Sequence, residues 1–175
     1  MKINVVIPLD TRGTKMVNQY RFQYDRQSIK LCDPAVEFMS PLECFVNLRT
    51  LSEELEVALR GFHRFKLTIS GVDYHVEDSD IEETSGLCFR VEENKNLMSI
   101  RRKLAKIKIF QGVDREDFSP AIPFYSAGGQ DGEDIAEIFD SVNESATEHD
   151  FFASQLKLMM MDKSNKWEMV SEYPL

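Results

Sequence analysis

Two short segments of this chain share a Pro-x-x-x-Phe pattern, residues 41–45 and residues 120–124. We expect each segment to form a strand, in which alternate side chains point to the same face of a sheet. A histidine and a threonine two positions apart on that face would place an imidazole for proton transfer beside a hydroxyl that binds phosphate oxygens. Neither residue type is present there. With the alternation continued one step beyond each segment, the face is predicted to carry Leu42, Cys44, Val46, Ala121, Pro123 and Tyr125.

The three histidines of the chain are His63, His75 and His149. None lies in either segment, and none is followed two positions later by serine or threonine. We interpret them as surface or strand-end residues. The two segments therefore lack a group that titrates near neutral pH and could move protons. The sequence predicts no catalytic residue at these positions.

The order of elements around the two segments resembles that of the 2H phosphoesterases, the family of 2'-5' RNA ligases and cyclic phosphodiesterases. The closing pattern, Leu156-x-Leu158 followed by Trp167 and a terminal Tyr-Pro-Leu, is also similar to that family's ending. The resemblance covers nearly the whole chain. It implies one α+β domain over residues 1–175, with two similar lobes, antiparallel sheets lining a central groove, and helices outside. Each lobe of such a protein contributes one His-x-Thr motif, so this chain resembles a member that has lost its catalytic machinery.

Hydrophobic periodicity predicts the elements that would position these segments. Strands are expected at residues 3–9, 42–48, 64–70, 74–76, 87–91 and 122–126, and helices at 51–62, 94–108 and 133–143. A capping box at Thr50 and Glu53 and a cap at Asn94 would begin the first two helices. Residues 11–30 have only a weak helical signal. Residues 151–161 and 166–173 are expected to form a final hairpin.

The leading functional hypothesis is a binding module without catalysis. Lys66, Thr68 and Arg90 lie on the polar faces of the middle strands, where they would bind a phosphate group or would simply be solvated. The resemblance implies a nucleotide or RNA end as the ligand, whereas an apolar groove favours a protein partner.

Two alternatives remain. The first is a divergent phosphodiesterase for 2',3'-cyclic or 2'-5'-linked phosphates that has recruited Glu43, His63 or His75. The second is a structural subunit, which an exposed cluster of the aromatic residues 20, 22 and 24 would indicate.

The composition of the chain limits which partners and ligands it is expected to bind. The net charge of −9 and a pI near 4.9 argue against broad nucleic-acid binding, which needs clustered lysine and arginine. The three cysteines are widely spaced, which suits reduced thiols better than a disulfide or zinc framework. The acidic residues 77–83 lack calcium-binding spacing, and the glycine-containing residues 128–132 are interpreted as a turn. We expect a cytoplasmic protein with no metal, no cofactor and no membrane association.

Overall fold

The structure, a computed structural model, describes residues 1–77, 84–111, 119–126 and 135–175. The predicted turn at 128–132, most of the acidic stretch at 77–83 and the predicted helix start at 133 lie outside these residues. No helix in the described ranges has both the length and the apolar character that a membrane crossing requires.

An antiparallel sheet is the framework of the molecule. The strands within the described residues are β1 Lys2–Pro8, β2 Ala35–Glu37, β3 Leu42–Glu43, β4 Phe65–Glu77, β5 Thr84–Val91, β6 Ala121–Ser126, β7 His149–Ala153, β8 Gln155–Met161 and β9 Trp167–Pro174. Their order in the sheet is β7-β4-β5-β6-β2-β1-β8-β9, with the short strand β3 paired to the start of β1.

The path of described strands through the sheet consists of two halves of four strands each, β7-β4-β5-β6 and β2-β1-β8-β9. They meet between β6 and β2, where one residue pair, Glu37 opposite Ala121, is in register. A curled antiparallel sheet with helices packed on it is the α+β architecture that the sequence predicted. The prediction of fold class is confirmed.

Four of the five α-helices of the described ranges bury side chains in the core, and the short second helix buries none. The five helices are α1 Thr11–Tyr24, α2 Arg26–Leu31, α3 Leu48–Leu59, α4 Lys95–Leu104 and α5 Ile135–Ser145, and a 3-10 turn spans Lys108–Phe110. The buried stripe of α3 is Leu51, Leu55 and Leu59, at the spacing of successive helical turns. Burying each such side chain contributes roughly 1.5–3 kcal/mol, so packing determines where the helices lie.

The two faces of the sheet differ in polarity. In β1, Ile3, Val5 and Ile7 are almost fully buried in the core under the helices. The face opposite that core, here called the open face, carries Lys66 and Arg90, both exposed to solvent. The basic strand residues Lys66 and Arg90 therefore point away from the core.

Several predicted elements are wrong in extent. Residues 11–30 form α1 and α2, although their local signal is weak, because Asp10 and Asp25 cap the helices and Val17 and Arg21 are buried by the sheet. The predicted strand 42–48 ends after Glu43, and Asn47 rather than Thr50 caps α3, accepting a 2.8 Å hydrogen bond from the Arg49 amide.

The expected final hairpin is confirmed only in part. Strands β8 and β9 do pair, but residues 151–161 are not one strand. Ser154 separates β7, which pairs with β4, from β8, which pairs with β1, so the two lie in opposite halves of the sheet. The aromatic residues of α1 do not form an exposed cluster either, since Tyr20 packs against Phe89 with a centroid distance of 5.3 Å.

Candidate functional site

The junction of the two halves is formed by two similar sequences. Residues 34–38 and 120–124 both have the pattern Pro-Ala-(Val or Ile)-x-Phe. They contain β2 and β6, which run antiparallel with Glu37 opposite Ala121. Because alternate residues share a face, Ala35 and Glu37 lie on the same face as Ala121 and Pro123. This internal repeat is the sequence signal that would have identified Glu37 as a candidate site residue.

Leu42 and Cys44, which the sequence placed in the groove, lie elsewhere. Leu42 is opposite Ile3 at the start of β1 and packs against the core. Cys44 is 2% exposed, and its thiol donates to the Val46 carbonyl at 3.6 Å. The prediction is corrected because β2 ends at Glu37, after which the chain bends and rejoins the sheet at the far end of β1.

Tyr125 also leaves the predicted face. Cys88 is opposite Pro123 and Leu87 is opposite Tyr125, with a register shift between these pairs. The extra residue reverses the alternation, so Tyr125 shares the core face with Leu87, which is fully buried. A proline cannot donate to the strand ladder, which explains why the irregularity occurs next to Pro123.

Lys66 and Thr68 lie together on the open face, but the group that joins them is a carboxylate. The Lys66 ammonium lies 2.6 Å from one oxygen of Asp150 on β7, and the Thr68 hydroxyl donates to the other oxygen at 2.8 Å. These two hydrogen bonds lower the pKa of Asp150. An anion at Lys66 would therefore face a carboxylate. Arg90 lies apart on β5, where its Nε donates to the Ser70 carbonyl at 3.2 Å.

Charged and small residues alternate over the first five positions of a row that crosses the open face at the junction. The strand registers place six side chains in this row, in the order Arg90, Ala121, Glu37, Val6, Lys157 and Glu172. The carboxylate of Glu37 is thus at the centre, with one basic residue two strands away on each side. A phosphate group at the centre would be repelled by Glu37.

A pocket opens beside this row where β2 and β6 diverge. It is lined by Asn4, Val6, Arg21, Cys32, Asp33, Ala35, Glu37, Pro123, Met159 and Trp167, and we call it the junction pocket. Arg21 of α1 spans the divergence, donating to the Cys32 carbonyl at 2.9 Å and to the Pro123 carbonyl at 2.7 Å. The arginine thus replaces strand-to-strand hydrogen bonds that β2 and β6 do not make there.

The thiols near the junction are held in the neutral form. Burial raises the pKa of Cys88 to about 12, and the carboxylates of Asp73 and Glu37 act in the same direction. Burial also raises the pKa of Cys32, where Arg21 opposes and Glu37 and Asp33 reinforce the effect. Neither thiol is suited to nucleophilic attack, which requires the thiolate.

The three histidines lie outside β2 and β6. His63 follows α3 and is exposed, and His75 is on β4 opposite Gly86. His149 begins β7 but is buried, and its Nε2 lies 2.8 Å from Asp10 Oδ1 at the start of α1. Glu43, the other proposed base, is paired with the N-terminal ammonium at 2.9 Å, a hydrogen bond that lowers its pKa.

Comparison with known proteins identifies the fold. No family model and no curated protein matches the chain. Among solved structures, TT0787 of Thermus thermophilus matches with a TM-score of 0.65 and 11% identity, over 100% of this chain and 98% of that one. E. coli LigT complexed with 3'-AMP matches with a TM-score of 0.58 and 10% identity, over 99% and 97%. Usb1 of Kluyveromyces marxianus matches with a TM-score of 0.53 and 12% identity, over 99% and 98%. The chain has the fold of the 2H phosphoesterases, as its resemblance implied.

Proposed function

We propose that this protein is a catalytically inactive binding module that uses the groove of a 2H phosphoesterase fold. The observation that carries the proposal is the pair of repeated segments at the junction. They stand side by side, as paired His-x-Thr motifs would, with alanine at both histidine positions and Glu37 and Pro123 at the threonine positions.

The side chains at these four positions support the absence of catalytic turnover. Cleavage of a phosphodiester needs one group to accept a proton, another to donate one, and donors for the phosphate oxygens. Alanine and proline side chains supply none of these. Glu37 supplies a single carboxylate, which would repel the phosphate group of a bound phosphodiester.

The groove nevertheless remains suited to binding. The E. coli LigT structures contain 3'-AMP and NADP+, which supports a nucleotide or RNA end as one ligand class. Glu37 and Asp33 in the junction pocket favour instead a ligand without phosphate, such as part of a protein partner. We place the protein-interaction role first for that reason.

Phosphorus NMR tests the absence of catalysis directly. The protein would be incubated with 2',3'-cyclic nucleotides and with 2'-5'-linked oligonucleotides, beside Glu37→Gln and Glu43→Gln variants. We expect no new phosphate resonance with any of the three proteins. Turnover that Glu37→Gln abolishes and Glu43→Gln retains would instead establish a divergent phosphodiesterase with Glu37 as its base.

Restoring the motifs tests the assignment of positions. We expect a variant carrying Ala35→His, Glu37→Thr, Ala121→His and Pro123→Thr to bind inorganic phosphate, seen as broadening of its phosphorus signal. A control places the first pair at Leu42→His and Cys44→Thr instead, and it should leave the signal sharp. Broadening with the control alone would mean that the motif positions lie in β3.

A further inference from the structure

One helix of this acidic protein carries a concentrated positive charge. Residues 94–111 contain six lysines and arginines and no aspartate or glutamate, which leaves 15 basic against 30 acidic residues in the rest of the chain. Lys95, Arg102 and Lys103 of α4 and Lys106 in the turn that follows are exposed to solvent, and we call these four residues the basic face. A concentrated field of one sign attracts partners of the opposite sign.

The basic face forms a strip along the outer side of α4. Leu97 and Leu104 are fully buried in the core, so the opposite side of the helix faces solvent and points away from the open face of the sheet. A helix turns once in 3.6 residues and rises about 1.5 Å per residue, which brings Lys95 and Arg102 to the same side, roughly 10 Å apart. With Lys106 included, the strip is roughly 15 Å long.

The side chains of the basic face have no acidic partner in the part of the chain that the structure describes. None of the four forms an ion pair there, and the two glutamates just before α4 do not pair with Lys95 either. On α3, by contrast, an arginine and a glutamate four residues apart are paired at 3.1 Å. Met98 and Ser99 occupy the positions four residues before Arg102 and Lys103, where glutamates would form such pairs. The four charges are therefore available to a partner.

The stability of α4 explains only part of the basic face. Cations in the last turn of a helix interact favourably with the negative end of its dipole, which explains Arg102 and Lys103. Lys95 is the first residue of α4, where the dipole favours an anion instead. Arg102 and Lys106 are four residues apart, a spacing at which like charges repel. Two of the four charges are thus unfavourable within the protein itself, which indicates a role in binding.

We propose that the basic face binds an acidic segment of a protein partner. Aspartate and glutamate side chains of the segment pair with the four cations, and about five residues of extended chain span the strip. A nucleic acid or a membrane surface fits less well, because each extends beyond the strip and would be repelled by the acidic remainder of the protein. The basic face points away from the open face, so this inference does not depend on the proposed function of the groove.

Fluorescence anisotropy of a labelled peptide tests the proposal. The probe is a hexaglutamate peptide that is acetylated and amidated at its ends, and the corresponding hexaglutamine peptide is the uncharged control. We expect saturable binding of hexaglutamate at about 0.05 M salt and at least tenfold weaker binding at about 0.5 M, because salt screens exposed charges. Hexaglutamine should not bind at either salt concentration.

Two double variants with the same change in net charge locate the binding. Lys103→Glu with Lys106→Glu should weaken the binding of hexaglutamate about tenfold, since each reversal turns an attraction between exposed charges into a repulsion. Lys163→Glu with Lys166→Glu is the matched control, because these lysines are also exposed and three residues apart, but lie between β8 and β9. The control should stay within about twofold of the wild type. Circular dichroism and melting curves would verify that both variants are folded.

Several results would overturn the inference. Two of them are no saturable binding of hexaglutamate and equal weakening of its binding by the two double variants. A long oligouridylate that displaces the labelled peptide more readily than unlabelled hexaglutamate does would assign the basic face to a nucleic acid. Analytical ultracentrifugation of the protein alone tests self-association. A dimer that dissociates in the Lys103→Glu and Lys106→Glu variant would make a second copy of the chain the occupant.

Discussion

Arg21 provides the sharpest test of how the junction is held together. Its side chain is 3% exposed and makes two short hydrogen bonds, to Cys32 on the β2 side and to Pro123 in β6. We predict that Arg21→Met, which keeps the length of the stem, destabilises the protein. Two hydrogen bonds from a charged donor contribute roughly 3–6 kcal/mol, and removing a buried charge returns part of this, leaving a loss of about 2–4 kcal/mol.

The loss would be measured by urea unfolding, followed by circular dichroism and by Trp167 fluorescence. For a protein of this size it corresponds to a fall in Tm of roughly 4–16 °C. Arg26→Met is the matched control, because Arg26 is exposed, with its Nε donating to the Phe22 carbonyl at 3.0 Å and its guanidinium 4.6 Å from the centre of the Phe22 ring. That variant should lose no more than about 1 kcal/mol, the value of an exposed cation–π contact. If Arg21→Met did the same, the arginine would not be holding β2 to β6.

Three further predictions concern the parts around the junction. Burial acts to raise the pKa of Asp10, but hydrogen bonds from Gly13 and His149 lower it overall. Asp10 thus stabilises the fold above its ordinary value of 3.8, and the benefit disappears as pH falls through the lower folded value. Asp10→Asn should be less stable than the wild type at neutral pH, and the two urea midpoints should converge in acid. Gly86→Ala should cost about 1–3 kcal/mol in urea unfolding, because the new methyl group would lie 2.7 Å from the Tyr125 carbonyl oxygen. Cys88 should react with iodoacetamide at pH 8 only after denaturation, and rapid labelling of the native protein would contradict its raised pKa of about 12.

The parts of the fold that the sequence predicted well are those whose pattern is local and long. Leu97, Ile100 and Leu104 repeat at helical spacing, and Asn94 caps that helix as expected, accepting from the Leu97 amide at 3.2 Å. Strand β4 likewise shows its alternation in the sequence, with Phe65 and Leu67 buried. In both cases the information lies within one element and does not depend on which neighbour covers it.

The site could not be predicted in the same way, because it depends on pairing between distant segments. Strand β2 has only three residues, too few for a periodic signal, and the Pro-x-x-x-Phe pattern at residues 41–45 has the same spacing of proline and phenylalanine as the β6 segment. The strands that pair with β7 and β8 could not be predicted either, since both strands are apolar and only one residue separates them. An extra residue in β6 then reversed the face of Tyr125, which alternation alone cannot anticipate.

The two repeated segments also explain why a pocket exists at the junction. They differ at one position that faces the groove, Glu37 in β2 and Pro123 in β6. Pro123 has no amide hydrogen to give to a neighbouring strand, and its carbonyl is bound by Arg21 instead. The halves of the sheet consequently share one residue pair before they diverge, and the side chains of Asp33 and Glu37 border the gap. The difference between the two segments therefore both opens the pocket and charges it, because Pro123 withholds a ladder donor while Glu37 places a carboxylate at the edge of the gap.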